Sequence, residues 1–517
     1  MRFNWRGTNA STWREVDGRC RHRLIHAAAE SVDMPNIDDR AGAAFATARA
    51  ARPLFARIAF GLAVFATLTV AIFAWMPKTL FDFDASHYTS IAYDLDRYSV
   101  FSNGLFDDVD STLAEPPPGM FFGPVYPAIV AAAMQVDPRF KAAVECWVTA
   151  DARQEDGTRQ CERYATPMLV IHAIFLALGV MAIARAGELT FRSEWVFWAG
   201  GSLAALGLVF ESELFSFVMT ESVTFGLYAV FSLACVLAWR SQRPRDVLVA
   251  GLALGVLILH RPSFEVLVPA GALLFLIAAW RKRPSLAFAG WRVAAFALGS
   301  LLVVGPWFAR NYIVLDKLGL TEEYGAATII ERLAFNDMTA HEFVLAFPYC
   351  LPGIGPPLID GIFGKQAMHR FTWYEPDSFF TMGRTRRGAL VQAHGSLDAV
   401  VGTVLRRELG SGWPEHLLSS VPLGWCGLWA GGIAALLLAP AFVLALWRAA
   451  RRGEMVFLLY AVPALTMLAL HAALANHYTR YNLALIGPFA IGTAWVLAGV
   501  PRKLRRWLGR SVPAAAA

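Results

Sequence analysis

Residues 54–76 read LFARIAFGLAVFATLTVAIFAWM. After Arg57 this run holds no charge, and about 20 consecutive apolar residues are what an α-helix needs to cross a bilayer core. The rest of the chain agrees with that reading. Of 517 residues, 56% are hydrophobic, 13% aromatic and only 17% charged, with a mean hydropathy of +0.45. An ordinary soluble domain has about 25% charged residues. A soluble globule, a disordered chain and a collagen-like fibre are excluded. Six cysteines are too few for a small disulfide scaffold.

Working outward, similar runs follow at 165–184, 194–211, 214–238, 246–260, 263–280, 292–309, 418–447, 455–474 and 482–500. With the first they predict an all-α polytopic membrane protein of about ten transmembrane helices. The formal charge of +6 and pI ≈ 9.0 suit basic cytoplasmic loops rather than nucleic acid, and no nucleic-acid partner is expected. The basic clusters RSQRPRD (240–246), RKRP (281–284), WRAARRG (447–453) and PRKLRRWLGR (501–510) all fall on one side of this alternation. That side is the inner one by the positive-inside rule. Residues 1–53 start polar and Arg-rich, unlike a signal peptide, and read as a cytoplasmic tail. The expected organisation is therefore a tail (1–53), a membrane module (54–310) with a first outer loop at 78–165, and a second large outer loop (311–417). C-terminal membrane helices (418–500) and a second inner tail (501–517) follow. Pro348–Pro357, PYCLPGIGPP, is too rich in Pro and Gly to span as helix and reads as loop.

Cys146 and Cys161 both fall in the first outer loop. They are expected to form a disulfide if that side is oxidising; the alternative is two free thiols. Cys235 and Cys426 sit in apolar runs and read as packing residues.

The residues that break the pattern carry the chemistry. Just after the first span comes FDFDASHYTSIA (81–92). Asp84 and Tyr88 are one turn apart and share a helix face, with His87 beside them. Asp84 would begin a helix at the membrane surface. Its structural alternative is a helix N-cap, and Asp82 is the other carboxylate of the pair. A divalent metal held by Asp82 and Asp84 is a weak alternative; no cofactor is required. EPPP (115–118) and GPVYP (123–127) set a stiff extended path, with Tyr126 inside it. On the same outer side, Arg261 follows His260, Arg310 precedes Asn311, and Arg480 lies in NHYTRY (476–481) with His477 and Tyr481. Arginine suits bidentate phosphate binding; snorkelling to headgroups is the alternative. Glu221 falls inside the outer end of a span, where an acid is functional by default, or pairs with one of these arginines.

The order D-x-x-x-Y-x-x-I-A, then PVYPAIVAA (124–132), GLALGVLILHRP (251–262), PWFARNY (306–312) and Arg480-Tyr481 resembles GT-C glycosyltransferases. It is similar to the dolichyl-phosphate-mannose protein mannosyltransferase and lipid A aminoarabinose transferase group. The insert at about 138–164 departs from that pattern. The resemblance implies transfer of a sugar from a polyprenyl-phosphate donor to a lipid, glycan or protein acceptor on the outer face of a cell inner membrane. Asp84 matches the position of the general base, and Arg261, Arg310 and Arg480 match the groups that hold the donor phosphate. Two other classes fit the composition. One is a secondary transporter, which would place its polar residues at mid-membrane. The other is a lipid-phosphate enzyme such as an O-antigen ligase or polymerase, which need not have the acidic helix after the first span.

Overall fold

A computed structural model describes residues 37–75, 84–106, 110–148, 161–281, 286–373, 375–475 and 479–499. Asp82 and His477 lie outside the described residues. The chain divides into two units, Met1–Arg57 and Ile58–Ala517, and the helices that build the site belong to the second. Helix is the regular structure throughout the described residues. The first half runs α1 (Ile37–Ala74), α2 (Asp84–Tyr98), α3 (Val125–Val136), α4 (Pro138–Val148), α5 (Thr166–Phe191), α6 (Glu194–Phe210), α7 (Glu221–Ser241), α8 (Pro244–His260), α9 (Leu267–Arg281) and α10 (Leu286–Leu315). Then come the short helices α11 (Tyr324–Leu333), α12 (Ala340–Tyr349), α13 (Gly355–Phe363), α14 (Phe379–His394) and α15 (Leu397–Ser411). The chain returns to apolar helices with α16 (Trp413–Gly427), α17 (Ala435–Arg452), α18 (Met455–Leu474) and α19 (Ile486–Ala498).

Seven helices among the described residues are long and apolar enough to cross a membrane: Leu54–Ala74, Thr166–Phe191, Glu221–Ser241, Ala287–Leu315, Gly432–Arg452, Met455–Leu474 and Thr479–Ala498. The protein is a multi-pass membrane protein. The other three expected spans appear as shorter helices. Two of them, α6 and α8, have 17 residues each, the lower limit for crossing. The run at 418–447 is not one helix. It breaks at Leu428–Ala434, where Gly431 and Gly432 take positive φ, and continues as α17. Pro348–Pro357 is a loop in its middle, residues 350–354, and is corrected at its ends: Pro348 and Tyr349 close α12 and Gly355–Pro357 open α13, with prolines tolerated in the first turn of α13.

Tight backbone contact sets the bundle where the site lies. A Cβ on Gly251 of α8 would come within 2.2 Å of the Phe296 carbonyl, and one on Gly299 of α10 within 2.4 Å of the Leu248 carbonyl. The GLALG stretch is thus the close seam between α8 and α10, and it fixes the helix end that carries His260 and Arg261. Gly123 docks the first loop on the same end: its Cβ would meet the Leu259 carbonyl at 2.3 Å.

Two disulfides are present, Cys146–Cys161 and Cys350–Cys426. The first is the expected pair. The second corrects the reading of Cys426 as a packing residue; it ties the residue after α12 to α16. Cys235 is buried and free.

Candidate active site

Asp84 is the first residue of α2. Its carboxylate is 48% exposed and accepts a hydrogen bond from Arg480 Nη2 at 2.9 Å. Tyr88, one turn on, is buried edge-on against Tyr126, with ring centroids 5.0 Å apart, and beside Phe122. That face of α2 is therefore anchored by aromatic packing, and Asp84 is presented at its open end. Burial lowers the His87 pKa to about 4; Asp84 opposes the shift, and Arg384 and Arg387 of α14 add to it.

Glu221 opens α7 and is 3% exposed. Its Oε1 lies 3.7 Å from Arg480 Nε and 4.0 Å from Arg261 Nη1. Arg261 follows the last residue of α8 in extended conformation, and its guanidinium sits 4.6 Å from the centre of the Tyr481 ring. Arg480 lies 5.4 Å from the same ring. Asp84, Glu221, Arg261 and Arg480 thus form a neutral quartet gathered around Tyr481. Two guanidiniums converge on it, and one of its two carboxylates is open to solvent. Such a set suits binding of an anion beside a proton acceptor.

Arg310 does not join this quartet. Its Nη1 donates to the Gly119 carbonyl at 2.6 Å and to Asn311 Oδ1, and its Nη2 donates to the Phe101 carbonyl at 3.1 Å. Asn311 is fully buried and donates to the Gly319 carbonyl. Both residues clamp the first loop onto the end of α10. The expected convergence of three arginines is thus seen for two, Arg261 and Arg480, while the contacts of Arg310 are to neutral oxygens. Tyr126 and His260 are likewise structural in their contacts. Tyr126 Oη lies 3.0 Å from His172 Nε2, and His260 Nε2 lies 2.9 Å from Thr224 Oγ1.

A cavity of ≈ 230 Å³ opens beside Arg261 and Tyr481. Its polar wall includes Glu265, Thr328 and His471, and its apolar wall includes Leu470 and Leu474. Tyr324, at the start of α11, also lines it, and burial raises its pKa within the field of Arg261, Asp84 and Arg480. Tyr324 and His471 were not legible beforehand, because neither stands in a motif. Among the described residues no three His, Cys, Asp or Glu side chains cluster as a metal site, and Asp82 falls outside them.

No family model matches the chain, and no curated protein matches it. Among solved structures it is similar to the archaeal oligosaccharyltransferase AglB from Archaeoglobus fulgidus in complex with an inhibitory peptide and a dolichol-phosphate. Identity is 13%, the match covers 89% of this chain and 52% of that one, and the TM-score is 0.45. A crystal structure of the Archaeoglobus fulgidus oligosaccharyltransferase tethered by a disulfide to an acceptor peptide containing the NVT sequon matches at 12% identity. It covers 87% of this chain and 50% of that one, with a TM-score of 0.42. The chain spans about half the length of these structures. The functional reading rests on the side chains of the site.

Proposed function

We propose that this protein is an integral-membrane glycosyltransferase that moves a sugar from a polyprenyl-phosphate donor to a hydroxyl-bearing acceptor on the outer face of a cell inner membrane. The observation that carries the reading is the quartet. Two arginines flank one aromatic ring next to a half-exposed carboxylate at a helix start, and a mixed polar and apolar cavity opens beside them.

In this reading Arg261 and Arg480 hold the donor phosphate, and Asp84 accepts the proton of the acceptor hydroxyl. The acceptor oxygen forms its bond to the anomeric carbon as the bond from that carbon to the phosphate oxygen breaks, so the anomeric centre inverts. The proton ends on Asp84, and the negative charge leaves on the polyprenyl phosphate, which the guanidiniums stabilise. The lipid tail follows the apolar wall of Leu470 and Leu474. Arg310 has no part in the chemistry; it keeps the Asp84 loop in place. The acceptor is a lipid, glycan or protein.

The test is direct. Purified protein in nanodiscs receives a panel of radiolabelled polyprenyl-phosphate sugars with crude membrane acceptors. Transfer of label from at least one donor, abolished in Asp84→Asn, is the expected result. Absence of any donor turnover, together with no measurable binding of polyprenyl monophosphate, overturns it.

A further inference from the structure

The Pro-rich stretch PYCLPGIGPP (348–357) takes no part in the quartet, yet it is the turn of a hairpin made by α12 and α13. His341 in the first turn of α12 faces Phe363 at the end of α13, with ring centroids 6.3 Å apart. Gly355 is pressed against the Pro348 carbonyl, where a Cβ would not fit. The tip is therefore 350–354. It is tied to the end of α16 by the Cys350–Cys426 disulfide and by Trp425 Nε1, which donates to the Phe347 carbonyl at 2.8 Å.

α16 sets the depth of that tip. It runs antiparallel beside α18: a Cβ on Gly424 would lie 3.5 Å from Ala472 Cβ, and one on Gly427 2.8 Å from Leu468 Cδ1. α18 has 20 residues, a length of roughly 30 Å, which matches a hydrocarbon core. Leu468 lies roughly 9 Å inside its Leu474 end, the end that carries His471 and the quartet. The disulfide thus carries the tip below the level where α18 leaves the bilayer. Sideways, the tip meets a span: a Cβ on Gly353 would lie 3.8 Å from Ile433 Cδ1. Ile433 and Leu437 belong to the span Gly432–Arg452 and are exposed on it.

The hairpin has the chemistry for that depth. Phe343–Ile359 contains no charged residue. From Gly353 to Phe363 every exposed residue is Gly, Pro or apolar, with Ile362 63% and Phe363 56% exposed. Charge returns at the base, where Arg370 pairs with Glu342 at 3.0 Å and Lys365 is exposed. The backbone gives an independent observation. Hydrocarbon tolerates no unsatisfied N–H. Pro348, Pro352, Pro356 and Pro357 have none to satisfy, and those of Cys350, Leu351, Ile354 and Gly355 each donate to a carbonyl of the hairpin.

We propose that α12 and α13 form a re-entrant anchor. Ile354, Leu358, Ile362 and Phe363 sit among the acyl chains of the leaflet at the quartet's end, and Lys365 and the Glu342–Arg370 pair sit at headgroup level. Lipid is the occupant because the apolar face continues through Gly353 and Ile433 onto the exposed side of a span. The anchor does not depend on the function proposed for the quartet.

Spin labels at Leu358→Cys and Ile362→Cys test it, in a Cys235→Ala chain with both disulfides intact, in nanodiscs of phosphatidylcholine and phosphatidylglycerol. Both side chains are exposed, so the labels displace no packed neighbour. Power-saturation EPR compares collisions with oxygen, which dissolves in hydrocarbon, and with nickel-EDDA, which stays in water. Ala389→Cys, exposed on α14, is the aqueous control. Oxygen collisions should exceed nickel collisions several-fold at 358 and 362, with the order reversed at 389. Nickel access at 358 and 362 equal to that at 389 overturns the proposal. Exclusion of both reagents, with dipolar broadening between labels, would place a second copy on this face and overturns it too.

Discussion

Arg310 and Arg480 stand at the same end of the bundle and look alike in sequence, each at the end of a span and flanked by aromatics. Their surroundings differ in kind. Arg310 is held by the neutral Gly119 and Phe101 carbonyls and by Asn311. Arg480 faces two carboxylates, Asp84 at 2.9 Å and Glu221 at 3.7 Å. An arginine bound to backbone carbonyls is part of the scaffold, because letting go would strand those carbonyls. An arginine paired with a half-exposed carboxylate can exchange that partner for a phosphate at little cost, since one charge-assisted contact replaces another. The partner, rather than the arginine, tells scaffold from site.

The largest effect that would break this comparison belongs to Asp84. Asp84→Asn keeps the shape and the helix start but cannot accept a proton. Single-turnover transfer should fall by about 10²–10⁴-fold, while binding of polyprenyl monophosphate persists. Near-normal transfer would reduce Asp84 to a helix-start residue, for Asn caps about as well as Asp.

Next come the arginines. Arg480→Gln or Arg261→Gln should weaken polyprenyl monophosphate binding about 10- to 100-fold in the protein that remains folded, and should lower stability as well, because buried Glu221 loses a counter-charge. Arg310→Gln should leave binding unchanged in the protein that remains folded and reduce stability by about 1–3 kcal/mol for the stranded carbonyls. A binding defect in Arg310→Gln at unchanged melting temperature would return Arg310 to the site and undo the distinction.

Much of this was legible because topology sorts residues by side. Asp84 stood out as an acid after the first span, and Arg261, Arg480 and Glu221 as charges where apolar helices end. For Arg310 the sequence shows a cation at a helix end but not the carbonyls of residues 101 and 119 that fold back onto it. Cys426 was misread, since its apolar run is a poor guide to a partner 76 residues away. The break after α16 could have been seen in Gly431-Gly432, which sit inside an otherwise continuous apolar run. Tyr324 could not, because the segment from 311 to 417 has no periodicity that says which of its side chains return to the bundle.

The smallest effect probes whether that returning segment faces Asp84. His87 has its pKa lowered from 6.5 to about 4, first by burial and then by Arg384 and Arg387 of α14. In the unfolded chain it binds a proton below about pH 6.5, whereas in the folded protein it stays neutral down to about pH 4. Its contribution to stability is therefore complete above pH 6.5 and is lost progressively as pH falls toward 4. The steepest slope one such group gives is about 1.4 kcal/mol per pH unit. Thermal melts of wild type and His87→Gln across that window should differ in slope, with the wild type losing more stability on acidification. Arg384→Gln together with Arg387→Gln should flatten the wild-type slope in part, because two charges that oppose protonation of His87 are gone. Asp84→Asn should steepen it, because the one carboxylate that favours the proton is gone. An identical slope in all of these proteins would mean that α14 does not overhang the start of α2, and the Asp84 end would then be open to acceptors on that side.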